Sequence, residues 1–199
     1  MTLRLQYYRN LLLAACLIAL LLAAMPAVSV LVTFPITIER FSELWLLGPD
    51  HMAENYAFNV AVGESRAVYL GIGDHMGSST YYVVYVKFRN QTQPLPDETT
   101  SKPSSLPSLY EIRVFIQDGQ TWEKLITFSI LEASHSETTS SVNRLLINNR
   151  AVSTSSSAFW DPERDGFYYQ LFFELWIYDT ATKNFGFHNR FVTMWLKMT

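Results

Sequence analysis

The sequence predicts an all-β protein: an antiparallel, immunoglobulin-like β-sandwich carried behind one N-terminal transmembrane helix. Three observations predict it. A single apolar run, Leu11 to Phe34, stands near the N-terminus. Aromatic residues make up 15% of the chain and gather in short runs where apolar and polar positions alternate, the pattern of strands rather than helices. These runs follow one another at hairpin spacing, with turn residues between them and no amphipathic helix to compete.

Residues 1–10 form a short, basic N-terminus carrying Arg4 and Arg9. The 24 residues from Leu11 to Phe34 contain only Ser29 and Thr33 as polar side chains. At 1.5 Å per residue that helix spans roughly 36 Å, enough for a hydrocarbon core of about 30 Å. Pro26, late in the run, removes one helical hydrogen bond. Arg4 and Arg9 before the run, with Glu39, Arg40 and Glu43 after it, put the N-terminus in the cytoplasm and the rest outside the cell membrane. Ala27 and Ser29 have the spacing that a signal peptidase accepts. The run nevertheless continues through Val30, Leu31 and Val32, past the usual 7–15 residues of a cleaved signal, so an uncleaved single-pass anchor is expected. Cys16 lies inside the run as a small, lipid-facing hydrophobe.

Residues 35–40 read as a juxtamembrane linker and 41–199 as an extracellular sandwich. All 18 acidic residues lie beyond Phe34, against 13 of the 15 basic ones. This mildly acidic segment has no basic run and is no partner for nucleic acid. It also holds no cysteine, so its core has to stand without a disulfide; roughly 160 residues bury enough surface for that.

Within the sandwich, Val68, Leu70 and Ile72 alternate with Ala67, Tyr69 and Gly71. Tyr82, Val84, Val86 and Phe88 repeat the pattern, and Asp74 to Ser79 reads as a hairpin turn between the two runs. Tyr110, Ile112, Val114 and Ile116 alternate with Glu111, Arg113, Phe115 and Gln117. Asp118-Gly119 then turns the chain into Trp122, Ile126, Phe128 and Ile130, again read as a hairpin. The strongest hairpin runs from Phe167 to Tyr178 and back from Phe187 to Met198, through a polar turn at Thr180 to Asn184. At least seven strands are expected. Gln91 to Ser108, with four prolines, reads as a long exposed loop, and the Ser/Thr-rich stretches Ser134–Ser141 and Ser153–Ser157 as linkers. Asn90-Gln91-Thr92 is an N-glycosylation sequon at the edge of the first loop, which makes Asn90 a glycosylation candidate.

The segments FSELWLLGPD (Phe41 to Asp50), AENY (Ala53 to Tyr56), Val62-Gly63-Glu64, GIGDH (Gly71 to His75) and Phe187-His188-Asn189-Arg190-Phe191 occur in that order. Together they resemble the extracellular C-terminal part of an archaeal membrane-protein family known as a domain of unknown function, DUF1616. Its pattern resembles F-T-E-F-Y-x-L-G-P, A-x-x-Y-P, V-G-E and G-I-x-N-H-E. The resemblance covers roughly Glu39 to Thr199. Ala57 replaces a usual proline, and Asp74 and Met76 flank His75 where Asn and Glu are usual. Fuller members carry several membrane helices. The resemblance implies an archaeal envelope protein and implies no activity. The same residues have a structural reading: Gly48-Pro49 ends a strand, and Gly63-Glu64 turns the chain.

Few residues point to chemistry. Asp50-His51-Met52 and Asp74-His75-Met76 both fall in expected turns. If those turns met, Asp50, His51, Asp74 and His75 could offer a transition metal two imidazoles and two carboxylates, although surface turn residues are the simpler reading. Asp161, Glu163 and Asp165 alternate without EF-hand spacing and read as turn formers. There is no G-x-S-x-G, and Gly71-x-Gly73 is not followed by a helix, so neither a serine nucleophile nor a phosphate cradle is indicated. No cofactor is expected. The strand from Phe167 is apolar on both faces. Tyr168, Phe172, Trp176 and Tyr178 form its second face, interrupted by Gln170 and Glu174. Such a face has to be covered, by the chain itself, the bilayer surface or a partner. The expected function is a non-enzymatic, membrane-anchored binding or scaffold module of the archaeal cell envelope, a subunit or accessory of a larger membrane or surface-layer assembly. The alternative is an accessory to envelope glycan or metal chemistry with a site at His51 and His75.

Overall fold

The computed structural model describes residues 8–9, 11–23 and 39–198. Residues 11–23 are helical with exposed apolar side chains such as Leu12, Leu20 and Leu21. The rest of the expected anchor, residues 24–34, lies outside the described residues, as does the linker up to 38. Among the described residues no helix is long and apolar enough to cross a membrane. The chain divides into two units, Met1–Glu39 and Arg40–Thr199.

The second unit is all β. Its strands are β1 (Phe41–Leu47), β2 (Asn59–Val60), β3 (Arg66–His75), β4 (Thr80–Asn90), β5 (Tyr110–Ile116), β6 (Thr121–His135), β7 (Thr139–Ile147), β8 (Arg150–Asp161), β9 (Gly166–Asp179) and β10 (Asn184–Met198). A first sheet runs β1-β3-β6-β7-β8, and a second runs β5-β4-β9-β10-β2. The end of β8 crosses over to pair with β9 at Trp160↔Phe167 and Asp161↔Gly166, so the two sheets form one curled surface. All pairings between these strands are antiparallel except β10 with β2.

The core lies between the sheets. Val68, Leu70 and Ile72 of β3 and Ile126, Phe128 and Ile130 of β6 meet Val84, Val86 and Phe88 of β4 and Leu171, Phe173 and Leu175 of β9 in one buried cluster. These are the alternate positions that the sequence pattern assigns to one face of each strand. Burying side chains of this size contributes roughly 1.5–3 kcal/mol each, which is how the unit dispenses with a disulfide.

Three expectations need correction. β3 and β4 do not form a hairpin, and neither do β5 and β6. The turns after His75 and after Ile116 carry the chain from one sheet to the other, because β3 pairs with β1 and β6 while β4 pairs with β5 and β9. Alternation fixes which side chains face the core, but it carries no information on which strand lies alongside. Ser153–Ser157 lies within β8, and Ser134–Ser141 spans the end of β6, the turn at 136–138 and the start of β7, with Ser140 and Ser156 buried. Thr and Ser suit a strand with one solvated face as well as they suit a linker. The Gln91–Ser108 segment contains no named strand, but it is not wholly exposed: Ser104 is buried against the second sheet. The β9–β10 hairpin is as expected, paired from Asn184↔Asp179 to Met198↔Phe167 with a bulge between Phe187 and Arg190.

Candidate interaction surface

The outer face of the second sheet concentrates the unit's unusual side chains. In β4 and β9 the core takes Tyr82, Val84, Val86 and Phe88, and Tyr169, Leu171, Phe173 and Leu175. The residues between them therefore point outward. Register sets these in rows across β4, β9 and β10. Tyr81, Tyr178 and Phe185 make one row; Val83, Trp176 and Phe187 the next; then Tyr85, Glu174 and Phe191. Further along, Phe172, Trp195 and Tyr168 extend the aromatic face.

Near the turn end the rings pack on one another. Tyr178 lies 5.2 Å from Phe185 and Phe185 lies 5.3 Å from Tyr81, centroid to centroid, at steep angles. Trp176 bridges Tyr85 at 5.3 Å and Phe187 at 5.9 Å. The Arg113 guanidinium, on β5, sits 5.2 Å from the Phe185 ring centre. Hydrogen bonds to Glu111 and then Tyr81 hold its proton more firmly than usual. Tyr81, Tyr85, Trp176, Tyr178, Phe185 and Phe187 are all half-buried, and Phe115 beside them is 65% exposed.

The middle of the face is closed. Lys87 and Glu174 form an ion pair at 2.9 Å with side chains only 6% and 0% exposed. The Gln91–Ser108 segment completes this pair: Ser104 N donates to Glu174 Oε1 at 2.9 Å, and Lys87 Nζ donates to Ser104 O at 2.7 Å. Trp176 Nε1 also donates to Glu174, at 3.2 Å. Each charge thus has its bonds satisfied, which two buried charges require. A cleft of about 390 Å3 lies between the same segment and β8, lined by Phe88, Leu106, Pro107 and Thr154 among others, none of them titratable.

Of the four aromatic residues expected to form a contact face, Phe172 is fully buried and Tyr168 nearly so, while Trp176 and Tyr178 are half-buried. The open part of the face lies nearer the β9–β10 turn and draws on Tyr81, Phe185, Phe187 and Arg113, which sequence reasoning missed. Two signals could have found them. The run Tyr81, Val83, Tyr85 gives β4 a second apolar side, as in β9, and Phe185 and Phe187 continue it across the hairpin.

The two Asp-His-Met turns do not converge. His51 stacks on Tyr69 at 3.8 Å and pairs with Glu123 at 2.9 Å, and Asp50 beside it is exposed. His75 stacks on Phe41 at 4.7 Å. Tyr69 and His75 stand at opposite ends of the β1–β3 pairing, about 20 Å apart along the strand. A single site carrying both imidazoles is therefore ruled out by register. Among the described residues no three His, Cys, Asp or Glu side chains are grouped to hold a metal. Asp161 caps its own turn by accepting from Glu163 N and Arg164 N.

Asp74 faces inward and is fully buried. Its Oδ1 accepts from Met76 N at 2.9 Å and Tyr82 OH at 3.1 Å, and Tyr82 OH is 2.6 Å from Ser42 Oγ. Burial, chiefly, pushes the Tyr82 phenol up to about 12. A hydroxyl held that firmly is no general base at neutral pH; the chain of bonds closes one end of the sandwich. His188, in the β10 bulge, is pushed below its ordinary value by burial and by Arg190. Asn90 is half-buried: its Nδ2 donates to Ser157 O, and its Oδ1 accepts from Thr92 N and Oγ1.

A family profile described as "Domain of unknown function (DUF1616)" matches residues 35–165. No curated protein sequence matches the chain. Solved structures show distant likeness. A beta-glucosidase from Listeria innocua is 9% identical with a TM-score of 0.42, over 80% of this chain and 16% of that one. The CARDB domain of a Pyrococcus furiosus protein, in complex with di-metal ions, is 8% identical with a TM-score of 0.38, over 83% and 94%. The chain thus spans about 16% of the glucosidase's length. Likenesses this distant transfer no function.

Proposed function

The chain belongs to the DUF1616 family, and on that premise we propose that it is a non-enzymatic binding or scaffold module whose contact surface is the aromatic outer face of the second sheet. The carrying observation is the cluster of Tyr81, Trp176, Tyr178 and Phe185 under Arg113, with Phe115 open beside it. Half-buried aromatic rings and an arginine are the side chains that dominate contact energies between proteins. The patch is also rimmed by charge, at Glu111 and Arg113, as contact surfaces are.

In this reading Leu11–Phe34 is a single-pass anchor with Arg4 and Arg9 inside. The unit from residue 41 is an immunoglobulin-like sandwich outside an archaeal cell, in a larger membrane or surface assembly. Its protein partner covers the aromatic patch. The test is purification of the full chain in detergent from native membranes, with Tyr178→Asp alongside the natural sequence. A partner held by the natural chain and lost by a folded Tyr178→Asp variant supports the reading. Equal retention by both would refute the surface.

A further inference from the structure

The second sheet ends in an open strand. β5 pairs with β4 along one edge, and among the described residues no strand pairs with its other edge. Its main chain receives one side-chain bond from its own loop, Ser108 Oγ to Tyr110 O at 3.0 Å. The other long edges are guarded. Arg190 Nε reaches Ser42 O on β1, and Asn90 Nδ2 and Gln91 Nε2 donate to Ser157 O and Phe159 O on β8. β2, at the far edge, is two residues long. An unpaired strand presents a row of N–H and C=O groups that another strand can complete. Tyr110–Ile116, YEIRVFI, has neither the proline nor the lysine that blunts such an edge.

We propose that the β5 edge is a self-association site that takes β5 of a second copy antiparallel, about a two-fold axis at Ile112, joining the two second sheets into one. The register follows from the side chains. Ile112 and Ile116 face the core, and Glu111, Arg113 and Phe115 face outward. A regular ladder sets same-face residues opposite each other, so only alternate registers are open. Centring on Arg113 places the two arginines face to face, and centring on Glu111 does the same to the two glutamates; like charges directly opposite destabilise a pair. Centring on Ile112 sets Glu111 opposite Arg113 of the second copy, twice. It also sets Tyr110 opposite Val114, twice, and Ile112 opposite Ile112. Opposite charges and aromatic–β-branched pairs are the favourable cross-strand combinations. A two-fold axis demands such self-complementarity. At present Arg113 and Glu111 pair within one strand at 3.2 Å with both side chains about half-exposed, so the charges are free to exchange partners.

The test measures the molecular mass and dimer dissociation constant of the full chain in detergent by sedimentation. The natural chain is expected to dimerise. Arg113→Glu, which sets glutamate against glutamate at two places, is expected to weaken the dimer roughly tenfold or more. Glu111→Arg/Arg113→Glu, which restores the opposite-charge pairing in reverse, is expected to recover it. Both side chains are solvent-exposed, so folding is retained, and circular dichroism checks this. A monomeric natural chain, a dimer indifferent to Arg113→Glu, or a folded double variant that stays dissociated would each overturn the proposal. An indifferent dimer would place the contact away from β5 and the patch that Arg113 belongs to, at the N-terminal apolar segment.

Discussion

The two outer faces of the sandwich use the same alternating pattern to opposite ends. On the first sheet the outward positions include Glu43, Gly71, Gly73, Glu123, Thr127 and Ser129, and the rings among them stand apart: Trp45 lies over Gly71, Tyr69 stacks on His51 and Phe41 stacks on His75. One of its ion pairs, Glu132–Arg144, is about half-exposed. On the second sheet the outward positions are mostly aromatic, and its ion pair, Lys87–Glu174, is buried beneath a loop of the chain itself. The first face pairs its rings singly with glycine or imidazole. The second needs a cover, and the Gln91–Ser108 segment supplies it only in the middle. The part left open is the part we assign to a partner.

The largest contrast should appear in the two ion pairs. Glu174→Ala leaves Lys87 charged and unpaired in the interior, and denaturant titration is expected to show a loss of about 3–5 kcal/mol. Glu132→Ala on the first sheet is expected to cost under about 1 kcal/mol. Equal losses would mean that the loop does not exclude water from Lys87.

Glycines sharpen the same contrast. A methyl group on Gly71 would overlap the Trp45 indole, so Gly71→Ala is expected to cost about 1–3 kcal/mol. Gly186 on the second sheet has open space around it, and Gly186→Ala is expected to change stability by less than about 0.5 kcal/mol.

Between the faces, Tyr82 ties Ser42 to Asp74. Tyr82→Phe leaves both with a bond unmade and is expected to cost about 1–3 kcal/mol. The pH dependence has a definite sign. The folded phenol titrates near 12 rather than 10, so the folded state binds the proton more tightly than the unfolded state. Its stabilising contribution is complete below pH 10 and is lost as pH rises from 10 to about 12. Tyr82→Phe should flatten that alkaline loss, read as melting temperature against pH.

The smallest effect is expected at the patch itself. Phe115→Asp should leave the melting temperature nearly unchanged, because the ring is 65% exposed, whereas Phe172→Asp on the same face should prevent folding.

The sequence made the faces legible but not the neighbours. Val68, Leu70 and Ile72 were readable as core because alternation reports burial directly. The β9–β10 hairpin was readable because its turn joins strands that pair. Asp118-Gly119 also turns the chain, yet β5 and β6 go to different sheets; a turn residue permits a reversal without choosing the partner strand. At the candidate surface, Trp176 and Tyr178 were visible from β9 alone. Tyr168 and Phe172 could not be separated from them, because what buries the latter pair is distant in sequence, including Phe58 and Trp195 against Tyr168. The Lys87–Glu174 pair was invisible for the same reason: its two halves and Ser104 meet only through register and loop closure. The turns carrying His51 and His75 stay apart because they flank one strand pairing at its two ends, which leaves both histidines as turn residues.

The claim that the second sheet's outer face is a contact surface is tested most directly by site-specific photocrosslinking in native membranes. A photoreactive phenylalanine analogue is placed at Phe115 in one full-length chain and at Glu123, on the first sheet's outer face, in another. A discrete crosslinked product is expected from position 115 and none from position 123. Equal crosslinking from both positions, or a product from position 123 alone, would contradict it.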